Sequence, residues 1–421
     1  MTASKDTAVR CPFAAGGDVD LVDPDLYGNG DPHTVWAEHR RTAPVRWQPV
    51  GADRGFWSVT RYADISRVLR EHETFSSQQG TLLNLLGAGD PASGSQLAVT
   101  DPPRHSEMRE PLQRALSIRA IDHYQADIRA LVAGLVAPLA DGGPFDLAAA
   151  MASLPMAVTG TMMAIPREDW PLLTRAATAA LAADDPAYQV RGGPEATLRR
   201  SHREIFAYFQ DVVTSRRKHP GDDLIGTLLG IRMDGRGLSD GQITANCYSL
   251  LIGAIVTTPQ VVSSAVARLA GTGDLDRWAA DPSLMNTAVE EAVRWASPTN
   301  HFMRYALRDT ELADVAIRAG DAVVVWLGSA NRDERVFPDP FHFDIARKPN
   351  KHIAFGVGPH YCIGHTIARV TLRIAFAELL GRFTGLELAA EPVRLRSNII
   401  AGIRELRITG RRRPVPAAIT G

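Results

Sequence analysis

The stretch His352-Ile-Ala-Phe-Gly-Val-Gly-Pro-His-Tyr-Cys-Ile-Gly-His365 decides how this chain is read. It sets one thiol, Cys362, among the closely spaced Gly356, Gly358 and Gly364. Straight after it, Ile363, Ile367, Val370 and Ile374 recur at helical spacing. The pattern predicts Cys362 at a helix N-terminus, where unpaired N–H groups and the positive end of the dipole favour an anion. A thiolate is such an anion, and this placement predicts a lowered thiol pKa. The glycines let backbone amides approach the sulfur and let a flat ligand lie against the loop. An isolated buried thiol is ordinarily structural. The full pattern Phe-Gly-x-Gly-x-His-x-Cys-x-Gly leaves that reading little room.

Outward from this loop, the 421 residues are 45% hydrophobic and 22% charged, the composition of a soluble globular protein. Lys and Arg number 46 against 47 for Asp and Glu, so no basic excess points to nucleic acid or to an anionic membrane. Three cysteines, Cys11, Cys247 and Cys362, are too few for a disulfide framework and fit a reducing compartment. Met1 to Arg10 has no apolar core of the kind a signal peptide carries, and polar and proline positions interrupt the apolar run Ser249 to Ala265. That run is expected to be a buried core helix, in a cytoplasmic protein without a membrane segment.

No repeat or low-complexity linker divides the chain. A single domain is expected over residues 23–421, after an N-terminal extension of residues 1–22. Strand-like runs occur at Val45–Gln48, Gly55–Thr60, His301–Leu307, Ala322–Leu327 and Glu387–Ile408, with a helix from Ala63 to about Glu71. Gln78–Ser95 reads as a long, functional loop. Helical patterns dominate from Pro103 to about Phe383. The expected fold class is mainly α with a small β portion.

The cysteine loop resembles that of the cytochrome P-450 family, and the resemblance runs from roughly Asp23 to Ile408. Glu291-Ala-Val-Arg294, Ala330-Asn-Arg-Asp333 and Phe337-Pro-Asp-Pro-Phe341 match further family motifs in the family's order. The resemblance implies the cytochrome P-450 fold and a haem b (iron protoporphyrin IX) cofactor whose axial metal ligand is Cys362. Phe355, Gly356 and Ala254 then line the haem. His105, Arg109, Arg304 and His360 match the positions that bind its propionates, which need neutralising when buried.

Asn246 to Ala270 is apolar almost all round and is expected to be one long core helix, kinked at Pro259. Family members usually show Ala/Gly-Gly-x-Asp/Glu-Thr-Thr here; this chain has Gly253-Ala-Ile-Val-Thr-Thr-Pro259. Thr257 takes the catalytic alcohol's place, and Val256 stands where a carboxylate usually relays protons. Two readings stay open: water and backbone carbonyls take over the relay, or Val256 is a neutral exchange. By family position, substrate touches the Gln78–Ser95 loop, the Pro166–Gly192 region, Ile252, Val256, Thr299, Asn300 and Asn398.

The function expected is a monooxygenase, using O2 and electrons from a ferredoxin and ferredoxin reductase on a mid-sized, partly polar small molecule. The Ala- and Arg-rich composition suggests bacterial natural-product biosynthesis. Oxidative coupling, ring closure or desaturation on the same haem is the alternative. A non-enzymatic haem sensor is a third reading, with no DNA-binding or signalling module in the chain to support it.

Overall fold

The computed structural model describes residues 19–414, so Cys11 and most of the expected N-terminal extension lie outside the described residues. Near the start, β1 (Val45–Val50) and β2 (Arg54–Val59) form a hairpin in which Trp47 pairs with Trp57. Helix α1 (Tyr62–Arg70) follows; Asp333, from the Ala330–Asp333 motif, accepts the first helical N–H, that of Tyr62, at 2.9 Å. The short β3 (Phe75–Ser76) leads into the 78–95 loop, and α2 (Arg104–Ala115) begins just beyond it.

The middle of the chain is helical. A long helix, α3 (Gly193–Lys218), packs across α4 (Asp240–Ile255). Helix α4 starts at a capping box: Ser239 accepts the Gln242 N–H at 3.3 Å, while the Gln242 side chain accepts the Ser239 N–H at 2.9 Å. The expected single helix over 246–270 is two helices. It begins earlier, at Asp240, breaks at Val256–Thr257 and resumes as α5 (Thr258–Leu269). Pro259 thus falls in the first turn of a new helix, where its missing N–H leaves no intrahelical bond unmade. Span 240–269 is long and apolar enough to cross a membrane by length and composition, but it lies at the centre of the largest hydrophobic core.

Helix α6 (Met285–Ala296) carries the Glu291–Arg294 pair. After it, β4 (His301–Ala306) and β5 (Ala322–Trp326) complete a sheet of order β1-β2-β5-β4-β3, in which only the β2–β5 pairing is parallel. Val323, Val324 and Val325 are fully buried because the sheet is covered on both faces. The last long helix, α7 (His365–Arg382), follows the cysteine loop and packs on α5 and α6. The observed architecture is helical with a small β portion, as the residue pattern implies.

Candidate active site

The cysteine loop is held from behind by a buried polar network. Glu291 and Arg294 have no exposed side-chain surface and form two hydrogen bonds, at 2.7 and 2.8 Å. Arg347, Asn350 and the Asp344 N–H also donate to Glu291. Arg294 donates to the carbonyls of Asn331, Pro340 and His342. Asn331 then reaches the loop itself, its Oδ1 accepting the Ile353 N–H at 2.8 Å. Three separated sequence motifs therefore meet in one structure.

Within the loop, Gly356 donates to the Ile353 carbonyl, Tyr361 to Gly358 and Cys362 to Phe355. Gly358 has φ +82°, and a Cβ there would stand 2.5 Å from the Leu69 carbonyl oxygen of α1, so any side chain would displace the loop. Cys362 precedes the Gly364 N-cap of α7 by two residues. Cys362 keeps some accessible surface. The expected lowering of its pKa is not seen. Burial pushes the thiol up, and the Gly364 N–H and the charges of Arg109 and Arg369 oppose this without overcoming it.

Other groups gather around the same region. The rings of His105 and His360 lie 4.4 Å apart between centroids, and Arg109 donates to the Tyr361 carbonyl. Arg304 is buried, bonded through Nη1 to the Met303 carbonyl. The anion among them is Asp101, which accepts from Ser76, from the Ser77 N–H and hydroxyl, and lies 3.8 Å from His360 Nε2. Its hydrogen bonds with His360, Ser76 and Ser77 outweigh burial and hold the carboxyl well below its usual range. Burial first, and then the neighbouring positive groups, pull His105 down to about 3. Burial likewise pulls Arg304 down to about 10 and lowers Arg109 and His360. Two guanidinium groups, Arg109 and Arg304, thus gather with two imidazoles and a single carboxylate, Asp101.

On the core helix, Thr257 donates its hydroxyl hydrogen to the Gly253 carbonyl at 3.1 Å. A Cβ added at Gly253 would meet nothing within 4 Å, which marks open space beside the helix break. Ile252, Ala254 and Thr257 keep accessible surface, whereas Val256 is packed into the core at 3% exposure. Thr299 forms a β-bridge with Ile400. The Asn300 side chain is buried and donates to the Ser397 carbonyl at 3.5 Å, and the Asn398 amide donates to the Val22 carbonyl at 2.7 Å. Both amides expected to meet substrate are thus engaged by the protein's own backbone.

Comparison with known proteins gives this geometry a family. The Cytochrome P-450 sequence profile matches residues 280–399. A protein of Mycobacterium tuberculosis named cytochrome P-450 126 is 36% identical over 411 residues, covering 92% of this chain and 96% of that one. The chain belongs to the cytochrome P-450 family. Cytochrome P-450 NovI of Streptomyces niveus is also 36% identical, over 93% of this chain and 97% of that protein. The crystal structure of cytochrome P-450 OxyD, involved in the biosynthesis of vancomycin-type antibiotics, superposes with TM-score 0.83 at 32% identity, covering 94% of this chain and 100% of that one. The fold is that of the cytochromes P-450, and the activity class is that of the family's oxidoreductases.

The residues fit the haem-thiolate cofactor that the family implies. His105 Nε2 is buried without a hydrogen-bond partner, Arg109 and Arg304 have one carboxylate, Asp101, in their cluster, and Cys362 keeps accessible surface. The structure also brings forward residues that sequence reasoning passed over: Phe206 stacks on Tyr248 and His202 meets the same ring edge-on, where α3 packs on α4. Tyr248 was reachable from its spacing of four before Ile252 on one helix face. The others come from distant segments and carry no local signal.

Proposed function

We propose that this cytochrome P-450 is a monooxygenase acting on a mid-sized organic molecule in bacterial secondary metabolism. O2 is its oxidant, and electrons come from a ferredoxin and its NAD(P)H-dependent reductase. The observation that carries the reading is Cys362, partly accessible and within reach of the Arg109 charge, in a loop whose neighbour His105 is buried with Nε2 unpartnered. The haem b cofactor, when bound, supplies the activation of dioxygen, and a thiolate ligand favours O–O cleavage.

Each residue then has a task. Cys362 ligates the iron, with Phe355, Gly356 and Ala254 lining the ring. Arg109, Arg304, His105 and His360 neutralise the two propionates. Thr257 offers a hydroxyl at the helix break, and Val256 has no proton to give. Pro259 has no N–H for the Ile255 carbonyl, which is therefore able to hold water beside Thr257. Ile252 meets substrate directly; Val256, Thr299, Asn300 and Asn398 shape the wall around it. The names NovI and OxyD, the latter tied to antibiotic biosynthesis, support a natural-product substrate.

A second reading, coupling or desaturation without oxygen insertion, is favoured by the apolar burial of Val256 at the relay position. Turnover under isotopically labelled dioxygen separates the two. Label in the organic product supports monooxygenation; an oxidised product without label contradicts it.

A further inference from the structure

The guanidinium carbon of Arg369, on α7, stands 4.4 Å from the centroid of the Phe355 ring. Glu290, on α6, accepts two hydrogen bonds from it, from Nε at 2.6 Å and from Nη2 at 2.8 Å. The remaining nitrogen, Nη1, donates to the Tyr361 hydroxyl at 3.2 Å and lies 3.2 Å from His365 Nδ1. His352 Nε2 is 3.0 Å from the same Glu290 carboxylate, and its ring meets Phe355 at 5.9 Å. One cation is thus held against two loop residues that bear on Cys362. The Phe355 carbonyl accepts the Cys362 N–H at 2.8 Å, and Tyr361 is its chain neighbour.

This pair is better shielded than an ordinary surface ion pair. The Arg369 and Glu290 side chains are 23% and 29% exposed, against 70% and 55% for Arg41 and Glu38. Burial works against the Arg369 charge, but the hydrogen bonds to Glu290 and Tyr361 outweigh it and hold the guanidinium above its usual range. Burial opposes the Glu290 charge as well, yet its bonds with Arg369 and His352 keep the carboxyl down at about 2. Both groups are therefore charged at neutral pH, and Arg369 is near enough for its charge to act on the Cys362 thiol. Accepting an electron makes a thiolate-ligated iron more negative. A fixed cation beside it favours that step, and a fixed carboxylate opposes it.

We propose that Arg369 is a positioning residue that, through its charge against the cysteine loop, raises the reduction potential of the haem, while Glu290 holds it in place and offsets part of that charge. This rests on the reading of Cys362 as the haem ligand. The step concerned is the one-electron reduction of ferric to ferrous haem. The electron comes from the reduced ferredoxin, which is oxidised by one electron, and no covalent bond forms or breaks.

A clamp that merely braced the loop would disturb the haem alike whichever end was removed. Charges acting on the haem move the potential in opposite directions. Potentiometric titration of the haem-loaded protein reads the difference. Arg369→Met should lower the equilibrium constant for reduction about threefold or more, which is about 30 mV for one electron. Glu290→Gln should raise it. An unchanged potential in either variant, or shifts of one sign in both, overturns the proposal. Should Arg369→Met fail to retain haem, Glu290→Gln decides alone: a raised potential supports the proposal, and an unchanged or lowered one overturns it. The reduced carbon monoxide spectrum of the same samples keeps the two readings apart. A thiolate-type Soret band in the wild type without the opposed shifts sinks the role of Arg369 alone, and absence of that band sinks the haem-thiolate reading beneath it.

Discussion

Thr257 donates its hydroxyl hydrogen to the Gly253 carbonyl at 3.1 Å, so a side chain bridges the break in the core helix, where Val256 and Thr257 fall outside both helical spans although their backbone angles stay in the right-handed helical region. The same hydroxyl borders the open space beside Gly253. With a valine as its neighbour, it is the protic side chain at the break next to that space, together with Thr258.

Thr257→Ala removes this hydroxyl. The variant should release several-fold more hydrogen peroxide per NADH consumed than wild type, and Thr257→Ser should restore most of the coupling. Val256→Glu tests the missing acid, but Val256 is packed in the core at 3% exposure. Burial raises a carboxyl's pKa, so the new acid should stay protonated and lower the melting temperature without improving coupling. Peroxide assays alongside thermal melts check both outcomes.

Breaking the Glu291–Arg294 pair should be far more damaging than breaking a surface pair. Both side chains are fully buried and each has further partners. Glu291→Gln leaves a buried guanidinium short of its counter-charge and should cost about 3–5 kcal/mol. Glu38→Gln, which breaks the exposed pair with Arg41, should cost less than about 1 kcal/mol. Urea unfolding of the two variants measures the contrast.

The haem-free protein should lose stability as pH falls below neutrality. His105 is pulled from 6.5 down to about 3, and His301 from 6.5 down to about 4, both chiefly by burial. The unfolded chain therefore binds more protons than the folded one between those values. Stability is fully present above pH 6.5 and declines as pH falls through the window, each histidine contributing a slope of about 1.4 kcal/mol per pH unit. Carboxylates such as Glu290, held at about 2 from 4.5, add their own loss only below pH 4.5. Unfolding curves between pH 6.5 and 4.5 should thus flatten in His105→Gln.

Electron delivery gives a fourth test. Arg114, Arg369 and Arg373 are the candidates for a basic patch that docks an acidic ferredoxin on the cysteine side. Arg369 instead pairs with Glu290 at 2.6 Å and covers the Phe355 ring at 4.4 Å, which commits it to the cysteine loop. Arg114 is 72% exposed and only loosely paired with Glu110 at 3.7 Å, and Arg373 is half-exposed. Reversing Arg114 and Arg373 to Glu should slow reduction by ferredoxin at low ionic strength and weaken its salt dependence. Stopped-flow reduction across a salt series checks this.

The cysteine loop and the Glu291–Arg294 pair were legible because each is a short pattern with a local cause, whereas the capped start of the core helix at Ser239 was missed. The helix break was only half legible. Pro259 announced a disturbance, but whether it kinks one helix or starts another depends on tertiary packing. The thiol's environment was misjudged because the helix terminus is visible in sequence and burial is not. Asn300 and Asn398 look available for substrate in sequence, yet the Ser397 and Val22 carbonyls accept their amide hydrogens. His202, Phe206 and Tyr248 were invisible as a group because their two helices meet only after folding.

The central claim is that Cys362 is the haem ligand, and the carbon monoxide difference spectrum of the reduced protein tests it most directly. Wild type and Cys247→Ser should both show the red-shifted Soret band of thiolate ligation, because Cys247 is fully buried in the core with its thiol pushed up to about 12. Cys362→Ser should lose that band. A Cys362→Ser protein that keeps it, or a Cys247→Ser protein that loses it while still folded, would contradict the account.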